Sequence, residues 1–450
     1  MIKKFKIIFA LIILFLNSCS TGYKLLRDAN PGLLNQLENI VYPEIRFFVI
    51  SDPHIFESSY KNEGPVLNSF LENNAKMIGE SVNIMEAFMD EIENVSADFV
   101  LVCGDLTNQG EKISHEIMAG FLSEIENSGK KVFVVPGNHD ILNSRAVRYL
   151  SDREESAETI TPDDFKNIYS NFGYNEALIQ DPDSLSYVTE PVKGLWLLGM
   201  DSCMYRENIN SGKPLTSGSF YPETLKWITE VLKQAIIKEK AVIGFMHHGI
   251  LEHYTGQSRY YEDFIIRDYE RISRLFALYG MKLVFTGHFH AQDIVIKIWE
   301  DNEFLIDIET GSFVSYPCPY RIIEINNEQI MRISSNYITE ISGYEHGFPE
   351  YAFKHKYNRI AEIVSSVVTR YCVSDEDALY ISCIIADAAM AHFAGDENRK
   401  SEIIDYGRIS SWAGFVIDRR KRLLQALWND LWPADNNVTI NLNNLNEIRQ

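Results

Sequence analysis

The sequence predicts an α/β fold that gives way to a helical C-terminal region. Two observations predict it. Short apolar runs alternate with helix-like stretches over the first two-thirds of the chain, and amphipathic helical spacing takes over after about Gly343. Strand–helix alternation argues for sheets flanked by helices. The 450 residues are 46% hydrophobic and 23% charged, near the average of globular proteins, and the length allows two to three domains.

In chain order, the apolar runs are Ile45–Ile50, 99–103, 132–135, Leu195–Met200, Ala241–Met246 and 282–286. Their length and their content of Val, Ile, Leu and Phe read as buried strands. Helix-like stretches at 83–92, 114–126 and 222–238 separate several of them. From 294 to 341 the strands become closely spaced, and Asn326-Asn327 supplies a hairpin turn. Beyond them Ile360, Ile363, Val364, Val367, Val368 and Tyr371 form an apolar stripe at helical spacing. Ser374, with Glu376 and Asp377 behind it, starts a second helix reaching Phe393. A third carries Trp412, Phe415, Val416, Leu423, Leu424, Leu427, Trp428 and Leu431. The tail from Asn436 reads as a loose end, or as a strand over 438–442.

The N-terminus reads differently. Lys3, Lys4 and Lys6 precede an apolar core from Ile7 to Leu16, which has signal-peptide length and is short for a spanning helix. Leu16-Asn17-Ser18-Cys19 then resembles the bacterial lipoprotein box, in which the cysteine is lipidated and becomes the new N-terminus. The resemblance implies an exported, membrane-anchored lipoprotein on the periplasmic or cell-surface side. An ordinary signal peptide or an uncleaved anchor is the alternative. The expected division is a signal peptide over 1–18, a tether over 19–44, a catalytic domain over 45–342 and a helical domain or cover over 343–450.

The net charge of −21 disfavours a nucleic-acid partner, because such binding rests on neutralising phosphates with a basic face. Arg419-Arg420-Lys421-Arg422 is the one compact basic run and reads as a solvated helix face, with contact to anionic lipid as the alternative. Cys103 and Cys203 read as buried free thiols. A Cys372–Cys383 disulfide is possible in an exported protein, but spacing does not establish it.

The chemistry lies just beyond the strands. The first run ends in Ser51-Asp52-Pro53-His54, the second in Gly104-Asp105 and the third in Gly137-Asn138-His139-Asp140. The run at Ala241 ends in His247-His248 and the one at 282 in Gly287-His288-Phe289-His290. Six of the eleven histidines therefore follow apolar strands, at the strand ends where α/β sheets bind ligands. Turn glycines and helix caps would account for any one of these sites. They do not account for five in this order.

The series DxH, GD, GNHD, HH and GHxH resembles the calcineurin-like metallophosphoesterase family, over roughly Arg46 to Ser334. The resemblance implies two facing mixed β-sheets flanked by helices, with two metal ions at the strand ends. It implies that Asp52, His54 and His290 hold one ion, that Asn138, His247 and His288 hold the second, and that Asp105 bridges them. These N and O ligands, without thiolate, suit divalent or trivalent ions of the Mn, Fe or Zn type. His139 is implied as the group that stabilises or protonates the leaving oxygen, with Asp140 orienting it. For His248 a structural place and a substrate contact stay open. Asn108 and Gly110 read as loop residues near the metals, His115 as the start of a helix, and Asp201-Ser202 as structural. Tyr254, Arg259, Tyr260 and Tyr261 are candidates for a substrate rim.

The expected function is hydrolysis of a small phosphodiester or phosphomonoester, nucleotide-like or lipid-derived, by metal-activated water. The DxH and GNHD pair resembles the branch that holds cyclic-nucleotide phosphodiesterases. The alternatives are a binding lipoprotein on a phosphoesterase scaffold, with its helical domain on a protein partner, and a nuclease, which the acidic balance disfavours.

Overall fold

The computed structural model describes residues 31–57, 64–299, 303–397, 404–445 and 447–449. The signal segment 1–18, Cys19 and the first part of the tether lie outside the described residues. The strands are β1 (Ile45–Ile50), β2 (Phe99–Val102), β3 (Lys131–Val134), a hairpin of β4 (Val147–Tyr149) and β5 (Glu154–Ser156), β6 (Ile179–Gln180), β7 (Tyr187–Thr189), β8 (Leu195–Met200) and β9 (Ala241–Met246). They continue with β10 (Leu283–Thr286), β11 (Asp293–Ile298), β12 (Phe304–Glu309), β13 (Pro319–Ile325), β14 (Ile330–Tyr337), β15 (Asn437–Asn441) and β16 (Ile448–Arg449).

Two seven-stranded sheets result. The first runs β16-β15-β14-β13-β1-β2-β3 and the second β11-β12-β10-β9-β8-β7-β6. Both are mixed: β1, β2 and β3 are parallel while β13 is antiparallel to β1. In the second sheet β8, β9, β10 and β12 are parallel while β11 and β7 run against their neighbours. The family's fold class is therefore the one observed.

The alternation of side chains along a strand makes the sheets face each other. Phe47 stacks on Phe99 at 4.6 Å and meets Phe285 of the opposite sheet edge-on at 5.3 Å. Phe48, one residue on, points the other way to Phe88 at 6.3 Å, on helix α1 (Ser81–Ile92). Helix α2 (Lys112–Asn127) adds Met118 and Leu122 to the same core. Helices α3 (Pro222–Ile237) and α4 (Tyr269–Leu278) cover the outer face of the second sheet, over Trp196, Leu198, Val242 and Val284.

The helical region is α5 (Phe348–Thr369), α6 (Asp375–Ala394), α7 (Ser411–Asp418) and α8 (Lys421–Leu427). The single helix expected over 412–431 is two, because the Arg420 N–H turns back to the Ile417 carbonyl and breaks the run. Helix α6 is long and apolar enough to cross a membrane, yet Ala378, Ile381, Ile384 and Ala388 are buried in this region's own core. The tail forms the strand alternative: β15 pairs with β14, so all four helices form an excursion between two neighbouring strands of the first sheet. Strands β6 and β7 had no visible pattern, being two and three residues long in a polar stretch. Cys372 and Cys383 are both free thiols, so the disulfide does not form.

Candidate metal centre

Strands β1, β2, β3, β9 and β10 deliver their terminal loops to one place. The backbone there is strained: Asp52, His54, Asp105, His288 and His290 all have positive φ, from 42° to 75°. Left-handed backbone at residues other than glycine costs on the order of 1–3 kcal/mol each and concentrates at functional sites. Glycine is required where loops touch. A Cβ on Gly104, whose φ is +85°, would lie 2.6 Å from His247 Nδ1, and one on Gly137 would lie 2.0 Å from the Asp105 backbone nitrogen.

Two carboxylates anchor the cluster. Asp52 Oδ2 accepts from Ser51 Oγ at 2.6 Å and from the His288 N–H at 3.0 Å. Its Oδ1 is buried and accepts no hydrogen bond, though His290 Nε2 lies 3.2 Å away and His54 Nε2 3.8 Å away. Asp105 Oδ1 accepts from the His139 N–H at 2.9 Å and lies 3.4 Å from His247 Nε2. Its Oδ2 lies 3.7 Å from His54 Nε2 and 3.8 Å from His139 Nε2. Asn138 Oδ1 is 3.1 Å from His247 Nε2.

Carbonyl partners fix the ring nitrogens. His54 Nδ1 faces the Thr107 carbonyl at 3.2 Å and His247 Nδ1 the Cys103 carbonyl at 2.9 Å. A carbonyl only accepts, so each Nδ1 carries the hydrogen and each Nε2 is left for the centre. His288 is the reverse, with Nε2 on the Asp263 carbonyl at 3.2 Å.

Charges follow from this packing. Burial alone would raise Asp52 and Asp105, but the imidazoles around them outweigh it and hold both below the usual carboxylate range. Burial lowers His247, and the Asp105 charge overcomes it, to about 9. Burial takes His139 down to about 4 against the pull of Asp105.

The residues fit metal ions. Ligand atoms of Asp52, His54 and His290 lie within 4.8 Å of one another, as do those of Asp105, His247 and His288. Asp52 Oδ1 and His290 Nε2 face each other at 3.2 Å, close enough to serve one cation together. A third group of this kind, His54, Asp105 and His139, joins the two.

Other residues are placed differently from expectation. Asp140 does not orient the His139 ring. Its Oδ2 accepts from the Gly137 and Leu106 N–H groups, and its Oδ1 from the Thr107 N–H and hydroxyl. The His139 ring is held instead by the Asn108 carbonyl, 2.5 Å from Nδ1. The cause is the turn in this loop, closed by the Asp140 N–H on the Gly137 carbonyl. The carboxylate thus ties the loops after β2 and β3 together. His248 uses both nitrogens, on Ser202 Oγ at 2.8 Å and the Thr216 carbonyl at 2.9 Å, and has none left for a ligand. His115 is likewise satisfied by Tyr169 and the Asp140 carbonyl. Asp201 accepts from the Tyr205 hydroxyl and two backbone N–H groups.

A pocket of about 370 Å³ opens on Asp105, Asn138, His139, His288 and His290, and its far wall comes from the helical region through Lys356, His392 and Phe393. Of the expected rim only Tyr261 lines it; Tyr254 is buried against Phe289 and His392. Two lysines were not foreseen. Lys76 Nζ lies 3.3 Å from His54 Nε2, and Lys356 Nζ sits 4.4 Å from the centre of the Phe393 ring. Neither belongs to a motif, and no local signal marks them.

Residues 45–292 match the family model described as calcineurin-like phosphoesterase. None of the curated proteins compared with the chain matches it. Similar solved structures include a dimetal phosphatase from Danio rerio, 13% identical with a TM-score of 0.48, covering 66% of this chain and 97% of that one. Another is a sulfate thiohydrolase from Thermus thermophilus in complex with glycerol, 11% identical with a TM-score of 0.34, covering 72% of this chain and 61% of that one.

Proposed function

The chain belongs to the calcineurin-like phosphoesterase family and is a metal-dependent phosphoester hydrolase; from that premise we propose that it is a membrane-anchored enzyme cleaving a small phosphodiester or phosphomonoester with water. The observation that carries the site assignment is the convergence of two donor groups, Asp52, His54 and His290, and Asp105, His247 and His288, each with its ligand atoms within 4.8 Å of one another.

In this reading Asp52, His54 and His290 would hold one divalent or trivalent ion and Asn138, His247 and His288 the other, with Asp105 shared between them. Two ions in such a site lower the pKa of water and offset charge on phosphoryl oxygens. The protein's own groups do the rest. The Thr107, Cys103 and Asp263 carbonyls fix which nitrogen each ligand histidine presents. His139 is anchored through Nδ1, so its Nε2 faces the pocket beside Asp105. Nδ1 carries the ring hydrogen, so the bare Nε2 can take the proton that the attacking water gives up and pass it to the leaving oxygen as the P–O bond breaks. Water supplies a hydroxyl to phosphorus, and the released alcohol takes the proton. The lysine-led apolar segment and Cys19 support the anchor and, with it, a periplasmic or cell-surface position. The net charge of −21 supports a small substrate over a polynucleotide.

The test compares hydrolysis of p-nitrophenyl phosphate and bis-p-nitrophenyl phosphate, with Mn added and after chelation, alongside metal analysis. Turnover that needs metal and is lost in Asp105→Asn is expected. A folded protein that binds no metal, or an Asp105→Asn variant with full metal and full turnover, would refute the assignment.

A further inference from the structure

The helical region does more than close the pocket. Helices α5, α6, α7 and α8 surround a second cleft of about 670 Å³, lined almost wholly by apolar side chains. Tyr261, Ala389, Phe393 and Leu427 line both this cleft and the 370 Å³ catalytic pocket. The two therefore adjoin at these four side chains, the one polar at the candidate metal ligands and the other apolar beyond Phe393.

The apolar stripe of α5 forms one wall. A stripe at that spacing normally faces a core, yet Ile363 is 46% exposed, Val367 44% and Tyr371 55%. Trp412 and Phe415, opposite on α7, are 51% and 54% exposed. Trp412 stacks on Phe415 at 5.4 Å and its Nε1–H donates to the Tyr371 carbonyl at 2.8 Å, so the two walls meet at that end while Ile363 and Val367 stay open to solvent. Leaving them wetted costs free energy in proportion to area, which an apolar occupant would recover.

At the junction stands Lys356. It is 6% exposed, lines the catalytic pocket beside His290, and has no carboxylate within ion-pair reach among the described residues. A buried ammonium without a counter-charge is costly, and burial with the neighbouring Lys76 lowers its pKa to about 8. An anionic group in the pocket would supply the missing partner.

We propose that the substrate is an amphipathic phosphoester, with its phosphate between the metal ligands and Lys356 and its hydrocarbon chain in the cleft between α5 and α7. This rests on the phosphoesterase reading above and deepens it. The occupant of the cleft is the substrate's own chain. The cleft shares a wall with the catalytic pocket at Ala389 and Phe393, which argues for this over a partner helix, because a helix would gain nothing from that adjacency. Arg419 and Arg420 stand at the cleft, where they suit the anionic surface from which such a substrate is drawn.

The test is a chain-length series of alkyl p-nitrophenyl phosphodiesters, from methyl to octyl, each below its micellar concentration. The full chain is used, with Mn supplied. Each buried methylene adds about fourfold in binding, so kcat/KM is expected to rise at least about 100-fold from methyl to octyl. In Ile363→Asp the octyl-to-methyl ratio is expected to fall to within about threefold. Lys356→Met is expected to lower kcat/KM for every ester while keeping the slope along the series.

Turnover of the methyl ester with a flat series would overturn the proposal and leave the phosphoesterase reading standing. No turnover of any of these diesters, nor of p-nitrophenyl phosphate, by the metal-loaded protein would instead sink that reading. A slope unchanged in Ile363→Asp would put the chain elsewhere. A series flat in the lipidated protein and steep in Cys19→Ser would give the cleft to the protein's own anchor and overturn the assignment to substrate.

Discussion

Gly137→Ala isolates the role of close loop packing. The added Cβ would lie 2.0 Å from the Asp105 backbone nitrogen and 2.1 Å from Asp105 Oδ1, where ordinary contact begins at 3.4 Å. Neither obstacle is a flexible tip, so the two loops must part by more than about 1 Å, and a misplacement of that size can cost about 100-fold in rate. Overpacking of this kind costs roughly 1–3 kcal/mol of stability, which a domain of this size tolerates. The shift also pulls Asp105 Oδ1 off the His139 N–H, now 2.9 Å away. The assay is kcat/KM on bis-p-nitrophenyl phosphate, with metal content and urea unfolding on the same samples. Gly120→Ala is the control: it lies on the exposed side of α2 with nothing within 4 Å of the new Cβ. There alanine should stabilise by about 0.5–1 kcal/mol and leave activity unchanged. The reasoning is refuted if Gly137→Ala binds metal normally and stays within about threefold of the parent rate.

Three further outcomes are expected. Asp140→Asn sets an amide against the four donors now held by the carboxylate; it should cost about 1–3 kcal/mol and lower kcat, while the shape of the pH–rate profile stays put. A displaced profile would restore Asp140 as the group that tunes His139. His253, buried with Asp293 at 2.8 Å and Asp307 at 3.2 Å, should cost about 3–5 kcal/mol when replaced by Ala, because uncompensated buried carboxylates remain. Burial lowers its pKa, but the three carboxylates around it prevail and hold it well above 6.5. Its ionic contribution is therefore complete below about pH 6.5 and declines as pH rises through the raised value. The stability gap between parent and His253→Gln, followed by urea unfolding, should narrow in alkali; a gap that widens would contradict the sign. Finally, metal that binds only the folded state at 100 times its Kd should add about 2.7 kcal/mol, read as a Tm that falls on chelation.

The candidate ligands were legible because each lies within a few residues of a strand end, and an apolar run announces that end. Asp52, His54, Asp105, Asn138, His247, His288 and His290 all follow β1, β2, β3, β9 or β10 at once. What the sequence did not reveal depends on partners far along the chain. Lys76 reaches His54 from a connection before α1, and Lys356 arrives from a helix almost three hundred residues beyond β1. Asp140 misled for the opposite reason: neighbours in sequence seem bound to interact, yet the turn from Gly137 to Asp140 points the carboxylate away from the adjacent ring. The stripe on α5 was readable as apolar, but periodicity reports only that a face avoids water. It does not say whether protein or another molecule covers it.

The way the helical excursion is attached bears on that question. It leaves the first sheet after β14 and re-enters it as β15, paired directly to β14. The end of α6 is stitched to the catalytic loops: the Gln292 N–H, two residues past His290, donates to the Phe393 carbonyl at 3.3 Å, and Asn436 Nδ2 donates to the Ala394 carbonyl at 2.7 Å. Asp435, just ahead of β15, accepts from the Ile294 N–H at 2.9 Å, while buried Arg321 binds the Asp435 and Glu309 carbonyls. Phe393 therefore has its place fixed relative to His290 by the same two sheets that carry the candidate metal ligands. A cover held by a flexible linker would present its apolar face at variable distances from the chemistry. Here the apolar cleft and the polar pocket are set in register by covalent topology and backbone hydrogen bonds. That is the geometry a single molecule needs if one of its ends is to be cut while the other is held.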